Sequence, residues 1–203
     1  MKIFSILTLI CCVSLFEIEA QSIVPSMPDV WHLGELQLID DSIIEGEFRY
    51  NLNTETVQLK EGSKVKTFNT KQVFSLTLYD QEVRGIRNIL VLPYSNESGY
   101  QRAKLFELIV DGKISLLVRG YFVKWGDPQH PMTLSKHVYI FENMFIMNED
   151  GVINKLLLQR TNVANQFGDQ QAKLIKYMRK EQIKLDDLPD VTKLFEYYNN
   201  ELY

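Results

Sequence analysis

The chain has 203 residues, 45% of them hydrophobic and 24% charged, with a net charge of -4 and a pI near 5.5. That much apolar surface offsets the entropy lost on ordering the chain, which excludes global disorder. The mild acidity lacks the basic field that phosphate backbones attract, which excludes nucleic acid as the expected partner.

The first element reads as an export signal over residues 1–20. Lys2 is a short positive start, and residues 3–16 are an apolar run. That run is shorter than the about 20 residues a bilayer span needs. Ala20 is the small residue that a signal peptidase requires, although Ile18 is larger than ideal two positions earlier. A cut after Ala20 removes Lys2, Glu17 and Glu19, which changes the net charge from -4 to -3, and it removes both cysteines, Cys11 and Cys12. The mature chain is then free of thiols, disulfides and cysteine-held metal. A domain of about 180 residues can bury enough core to do without disulfides. A lipid anchor on Cys11 or Cys12 is the alternative, but neither follows the small residue that bacterial lipoproteins place before the modified thiol. Residues 21–29, QSIVPSMPD, form an extended leader with two prolines, Pro25 and Pro28.

From residue 30 the apolar period is two. LGELQLID (33–40), IIEGEFRY (43–50), TVQLK (56–60), KVKTF (64–68) and VFSLTL (73–78) are predicted strands, separated by segments of turn composition. RNILVLPY (87–94) is a sixth. KLFELIVDGKISLLVRGYFVKW predicts a hairpin in which Asp111-Gly112 takes the positive φ angles of a tight turn, and KHVYIFENMFIMNEDGVINKLL predicts another at Glu149-Asp150-Gly151.

From residue 159 the pattern is helical. Thr161 and Asp169 are candidate N-caps. Ala172, Ile175, Met178 and Gln182, with Leu174 beside them, mark one side of a helix whose other side carries Lys173, Lys176, Arg179, Lys180 and Lys184. Pro189 breaks the helical run, and Asp190 is expected to cap a last helix with Val191, Leu194, Phe195 and Tyr198 on one apolar face.

No phosphate-cradling glycine loop, nucleophile elbow or His-Glu-x-x-His occurs. His32, His130 and His137 do not fall at metal-ligand spacing. Asp40-Asp41 serves a turn, and Asp186-Asp187 serves a helix start. Asn148-Glu149-Asp150-Gly151 lacks the alternating ligands of a calcium loop. Trp31, Trp125, Tyr121 and Phe122 read as packing residues. Asn96-Glu97-Ser98 matches an N-glycosylation acceptor that matters only in a eukaryotic secretory route.

Two resemblances add to this. The Ala-Gln junction, LQLIDDSIIEGEFRY, VQLKEG, VKTFNTKQVFSLTL, KLFELIVDGKISLLVR and IKYMRKEQIKLDDLPDVTKLFEYYNN together resemble uncharacterised exported β-rich proteins of Bacteroidota. Those share a strand-Gly-strand start, an FE-x-x-x-x-G-x-x-x-LL hairpin and a helical end with Tyr-Tyr-Asn. The resemblance implies no activity; with a helical C-terminus in place of a surface-delivery domain, the periplasm or outer membrane periphery is expected ahead of an extracellular location. Within residues 33–78, LIDDSIIEGEFRYNLNTETVQL resembles the first motif of Sm-like and SH3-like barrels, with Asp41 at the place of a turn glycine. The RNA-binding Asp and Asn of the Sm-like family align with Leu52 and Thr56, so this resemblance implies barrel shape without RNA binding.

The sequence thus predicts an α+β chain. An antiparallel β meander or small partly open barrel occupies 30–158, and a C-terminal pair or trio of helices over 159–203 packs on it. The expected role is a non-enzymatic interaction module of the cell envelope, bound to a protein partner there. The candidate partner surface is Lys173, Lys176, Arg179, Lys180, Tyr197 and Tyr198, and no catalytic, cofactor or metal residue is assigned. Peripheral membrane contact by the same basic helix is a second use, with no transmembrane span in the mature chain. The rival expectation is a small-molecule or lipid-binding protein with an apolar pocket in the β domain. A hydrolase built on a carboxylate pair comes third.

Overall fold

Among the described residues, alternating side chains build ten strands: β1 His32–Leu38, β2 Ile43–Asn51, β3 Thr56–Glu61, β4 Lys64–Asn69, β5 Val73–Asp80, β6 Gly85–Ser95, β7 Gln101–Val110, β8 Ser115–Trp125, β9 Lys136–Met147 and β10 Ile153–Lys155. The computed structural model describes residues 31–80, 85–95, 99–125 and 136–203. The export signal, the leader, Asn96-Glu97-Ser98 and His130 lie outside those residues. All strand pairs are antiparallel, in one open sheet ordered β10-β9-β8-β7-β6-β5-β1-β2-β3-β4.

This order forces the sheet to curl. β4 and β5 are four places apart, about 19 Å in a flat sheet. Residues 70–72 alone join them, a link that reaches at most about 14 Å, and it is drawn tighter by the hydrogen bond from Gln72 N–H to the Asn69 carbonyl. β1–β5 therefore roll into a partly open barrel. Two glycines make room for the bend. Gly34 and Gly46 are directly paired across β1 and β2. A Cβ on Gly34 would lie 2.2 Å from the Thr77 carbonyl oxygen, and one on Gly46 would lie 2.6 Å from the Leu59 side chain.

Three apolar cores result. Inside the roll, Leu36, Phe48, Val57, Leu59, Phe68 and Leu76 pack with Ile89 and Leu105. On the same face further along, Leu116, Val118, Met144 and Ile146 are covered by the helices. On the opposite face, Phe106, Leu117 and Phe145 form a third cluster, with Tyr94, Phe106 and Phe145 edge to face at 5.1–5.8 Å. β7 feeds all three, through Leu105, Phe106 and Val110.

The helices are α1 Arg160–Asn165, α2 Gln171–Lys180 and α3 Leu188–Tyr197, with a 3-10 turn before α2 and a π-helical turn, Tyr198–Leu202, after α3. Several expectations are corrected here. The N-cap of α1 is Gln159, and Thr161 lies inside the helix. Asp169 sits in the 3-10 turn and does not cap α2. The buried side of α2 is Leu174 and Met178, while Ala172 is exposed and Gln182 lies past the helix end in a left-handed conformation. Pro189 is inside α3, in the first turn, where a missing N–H costs nothing. Asp187, not Asp190, is the N-cap, accepting a hydrogen bond from Asp190 N–H. The hairpin between β7 and β8 is present, but Gly112 has no positive φ. It is needed for space, because its Cβ would lie 2.5 Å from the Asn199 side chain.

Candidate functional site

The predicted surface lies on α2. Leu174 and Met178 are fully buried, which fixes the helix rotation and turns Lys173, Lys176, Arg179 and Lys180 to solvent. Arg179 and Lys180 fall in the last turn, where cations complement the helix dipole. Lys180 pairs with Glu181 at 2.9 Å, and this hydrogen bond raises the ammonium above its ordinary value. Tyr177 stacks on Tyr197 at 3.8 Å with the rings 4° from parallel, and both are half-buried. Burial raises the Tyr177 hydroxyl, with the Glu181 charge adding to it. Tyr198 is elsewhere. It lies in the helical core with its ring centroid 4.8 Å from that of Phe167, on the apolar face shared with Val191, Leu194 and Phe195. The structure thus brings five of the six candidates to one side and places Tyr198 inside.

The turn after α3 is tied to the β7–β8 connection. The Asn199 side chain accepts from Ile114 N–H at 3.2 Å and donates to the Ile114 carbonyl at 3.0 Å, matching both backbone groups of that residue. Asp190 accepts from the Lys193 ammonium at 2.9 Å and from Lys184 N–H at 3.1 Å, which together hold its carboxyl below the ordinary range.

A second constellation was missed by sequence reasoning. The β7–β8 ladder ends at Glu107 opposite Val118. Continued, it would pair Leu105 with Gly120. Side chains from β2, the β2–β3 turn and β8 supply those bonds instead. Leu105 N–H donates to Glu55 at 2.9 Å, the Leu105 carbonyl accepts from Arg119 at 2.8 Å, and the Gly120 carbonyl accepts from the Tyr50 hydroxyl at 2.8 Å. Arg119 also reaches the Leu52 carbonyl at 3.1 Å and both oxygens of Glu55, at 2.8 and 3.3 Å. Beside it Arg87 grips Glu107 with two bonds, at 2.8 and 2.7 Å, and donates to Tyr50. Arg87, Glu107 and Arg119 are all buried. An arginine stays charged at any working pH, so Arg87 and Arg119 act here as fixed positive charges that hold their partners in place. The available signal was a charge inside an apolar strand, as in LLVRGYFV.

The remaining candidates are dispersed. Leu52 gives its carbonyl to Arg119, and Thr56 opens β3 beside Thr54. Asp41 has φ 64°, a left-handed conformation that glycine takes without strain. Asp40 accepts from the Ser42 hydroxyl and N–H, which lowers its carboxyl. Among the described residues no three His, Cys, Asp or Glu side chains converge as a metal site, and no helix is long and apolar enough to cross a membrane. No family model, curated protein or solved structure matches this chain.

Proposed function

We propose that this chain is a non-enzymatic interaction module, exported to the periplasm or outer membrane periphery, that binds an acidic protein surface through α2. The observation that carries the reading is the outward face of α2. Lys173, Lys176, Arg179 and Lys180 share it, no acidic residue lies within the helix, and the buried Leu174 and Met178 hold it rigid. A rigid cationic face loses little side-chain and backbone entropy beyond that of the lysines themselves on docking. The Tyr177–Tyr197 stack beside it offers flat, amphipathic contact area. The export part of the reading is supported by the composition of residues 1–20.

The test is crosslinking in intact envelopes followed by capture of the tagged chain, with Lys173→Glu/Lys176→Glu/Lys180→Glu as comparator. These positions are exposed, so the variant should melt with the wild type and lose the captured protein. Capture of nothing, or equal capture by both chains, would overturn the reading. Co-purified lipid in mass spectra of the native protein would favour the ligand-binding alternative.

A further inference from the structure

We infer that the acidic surface engaged by α2 is carried by a second copy of this chain, on the outer face of the rolled sheet. This deepens the reading of α2 as a contact surface and rests on it.

The outer face is built by register. Leu33 of β1 pairs with Tyr79 of β5, and Tyr79 pairs with Ile86 of β6. The three form one row across three strands, about 10 Å long, and they are 54%, 41% and 66% exposed. Such a row of large apolar side chains on solvent is the kind of feature that marks a contact site. Acids border it. Glu47 lies opposite Leu33, and Glu35 lies directly opposite Glu45. Like charges facing each other across a strand pair destabilise a sheet, with Cβ atoms about 5 Å apart. Tyr79 gives its hydroxyl to Glu35, and that bond first, with the charges of Glu35 and Glu45 adding to it, raises the hydroxyl. Lys60 answers Glu47 at 2.8 Å. A cationic partner laid over Glu35, Glu45 and Glu47 would relieve the remaining repulsion.

The same molecule presents the complement. Lys173, Lys176 and Lys180 stand at i, i+3 and i+7 along one side of α2, a line about 10 Å long. The three glutamates span about 7 Å along β2 and one strand spacing across to β1. The stacked tyrosines next to the lysines match the apolar row next to the glutamates. The two patches are different surfaces, so the contact is head-to-tail and propagates from copy to copy. A ten-residue helix on three strands falls below the area of a stable dimer, which places the contact in the weak, salt-sensitive class.

Sedimentation velocity of the purified protein between about 10 and about 500 µM, in low and high salt, reads this contact directly. The weight-average mass should climb at least about 1.5-fold over the monomer at low salt and fall back at high salt. Glu45→Lys/Glu47→Lys should stay monomeric, and so should Lys173→Glu/Lys176→Glu. An equimolar mixture of the two should regain mass, because each reversed face then finds an opposite charge. Circular dichroism melts establish that both variants are folded. A monomer under all conditions, or a mixture that stays monomeric when the wild type associates, would overturn the inference. If the wild type is monomeric but reversal of α2 still abolishes capture of an envelope protein, this inference falls and the proposed function stands. If the copies associate and rescue works while no other protein is captured, the inference stands and the envelope partner falls.

Discussion

Glu55 sets two physical rules against each other. Its φ is 52°, in the left-handed region that favours glycine, so Glu55→Gly should relieve about 1 kcal/mol of backbone strain. The same change removes the counter-charge of Arg119, whose side chain is 9% exposed, while Glu55 itself is 21% exposed. Breaking a buried pair from one side costs about 3–5 kcal/mol. The Leu52 and Leu105 carbonyls remain as acceptors for Arg119, which brings the cost to the low end, about 3 kcal/mol. With about 1 kcal/mol more for the lost bond from Leu105 N–H, the net expectation is a loss of about 3 kcal/mol, or a fall of about 6–12 °C in Tm for a chain this size. In an Arg119→Met background the pair is already gone. Glu55→Gly then gives up only its bond to Leu105 N–H, about 1 kcal/mol, against a similar relief, and should be neutral. Urea unfolding of the four chains, followed by circular dichroism with a shared m value, yields the coupling directly. A stabilising Glu55→Gly in the wild-type chain, or an equal effect in both backgrounds, would refute the clamp.

Gly112→Ala should push Asn199 off Ile114 and cost about 2 kcal/mol, the worth of two backbone-matched hydrogen bonds. Asn199→Ala should cost about the same, and the double variant no more, by thermal melts. Asp190 is lowered in the folded state from the ordinary 3.8, first by its bond from Lys193 and then by that from Lys184 N–H. Its contribution is therefore present above that ordinary value and disappears as pH falls through the folded one. Melting temperatures of wild type and Asp190→Asn should differ at pH 7 and converge below about pH 3.8, a convergence that circular dichroism melts between pH 7 and 2 would reveal. Phe106→Ala should cost about 3–5 kcal/mol in urea unfolding, because Phe106 is fully buried between Tyr94 and Phe145. Phe74→Ala, at a position 58% exposed, should change stability by less than about 1 kcal/mol in the same assay.

Elements governed by local pattern were legible in the chain. The alternating segments 33–40, 43–50, 56–60, 64–68 and 73–78 fall on β1 to β5 with shifts of at most two residues at their ends, since a half-buried strand writes its two faces into alternate positions. A small partly open barrel was one of the two shapes expected of them, and β1–β5 do roll; what escaped was the cause. Gly34 and Gly46 look like ordinary strand glycines until the register sets them opposite each other. Helix termini were read worst. Asp190 was expected to cap and Pro189 to exclude a helix, yet Asp187 caps and Pro189 sits in the first turn, because a proline is costly only where its N–H would be used. At the candidate surface the basic side chains were legible from their period alone. The i, i+3, i+4, i+7 period put Tyr198 on the apolar face with Val191, Leu194 and Phe195, where it lies; its place among the partner-surface candidates conflicted with that period and is the part that fails. The Arg119–Glu55 pair joins residues far apart in the chain, and no local pattern encodes such a pairing.

β7 has a consequence for how the molecule comes apart. One ten-residue strand supplies Leu105 to the rolled barrel, Phe106 to the aromatic cluster and Val110 to the helix-covered core. A break on its N-terminal side deprives the barrel of a wall, and a break on its C-terminal side deprives the helices of their floor. Neither half should fold as a self-sufficient piece. Unfolding should run as one cooperative event, so that a local injury anywhere along β7 is felt by the whole molecule and fragments released by proteolysis do not persist in a native form.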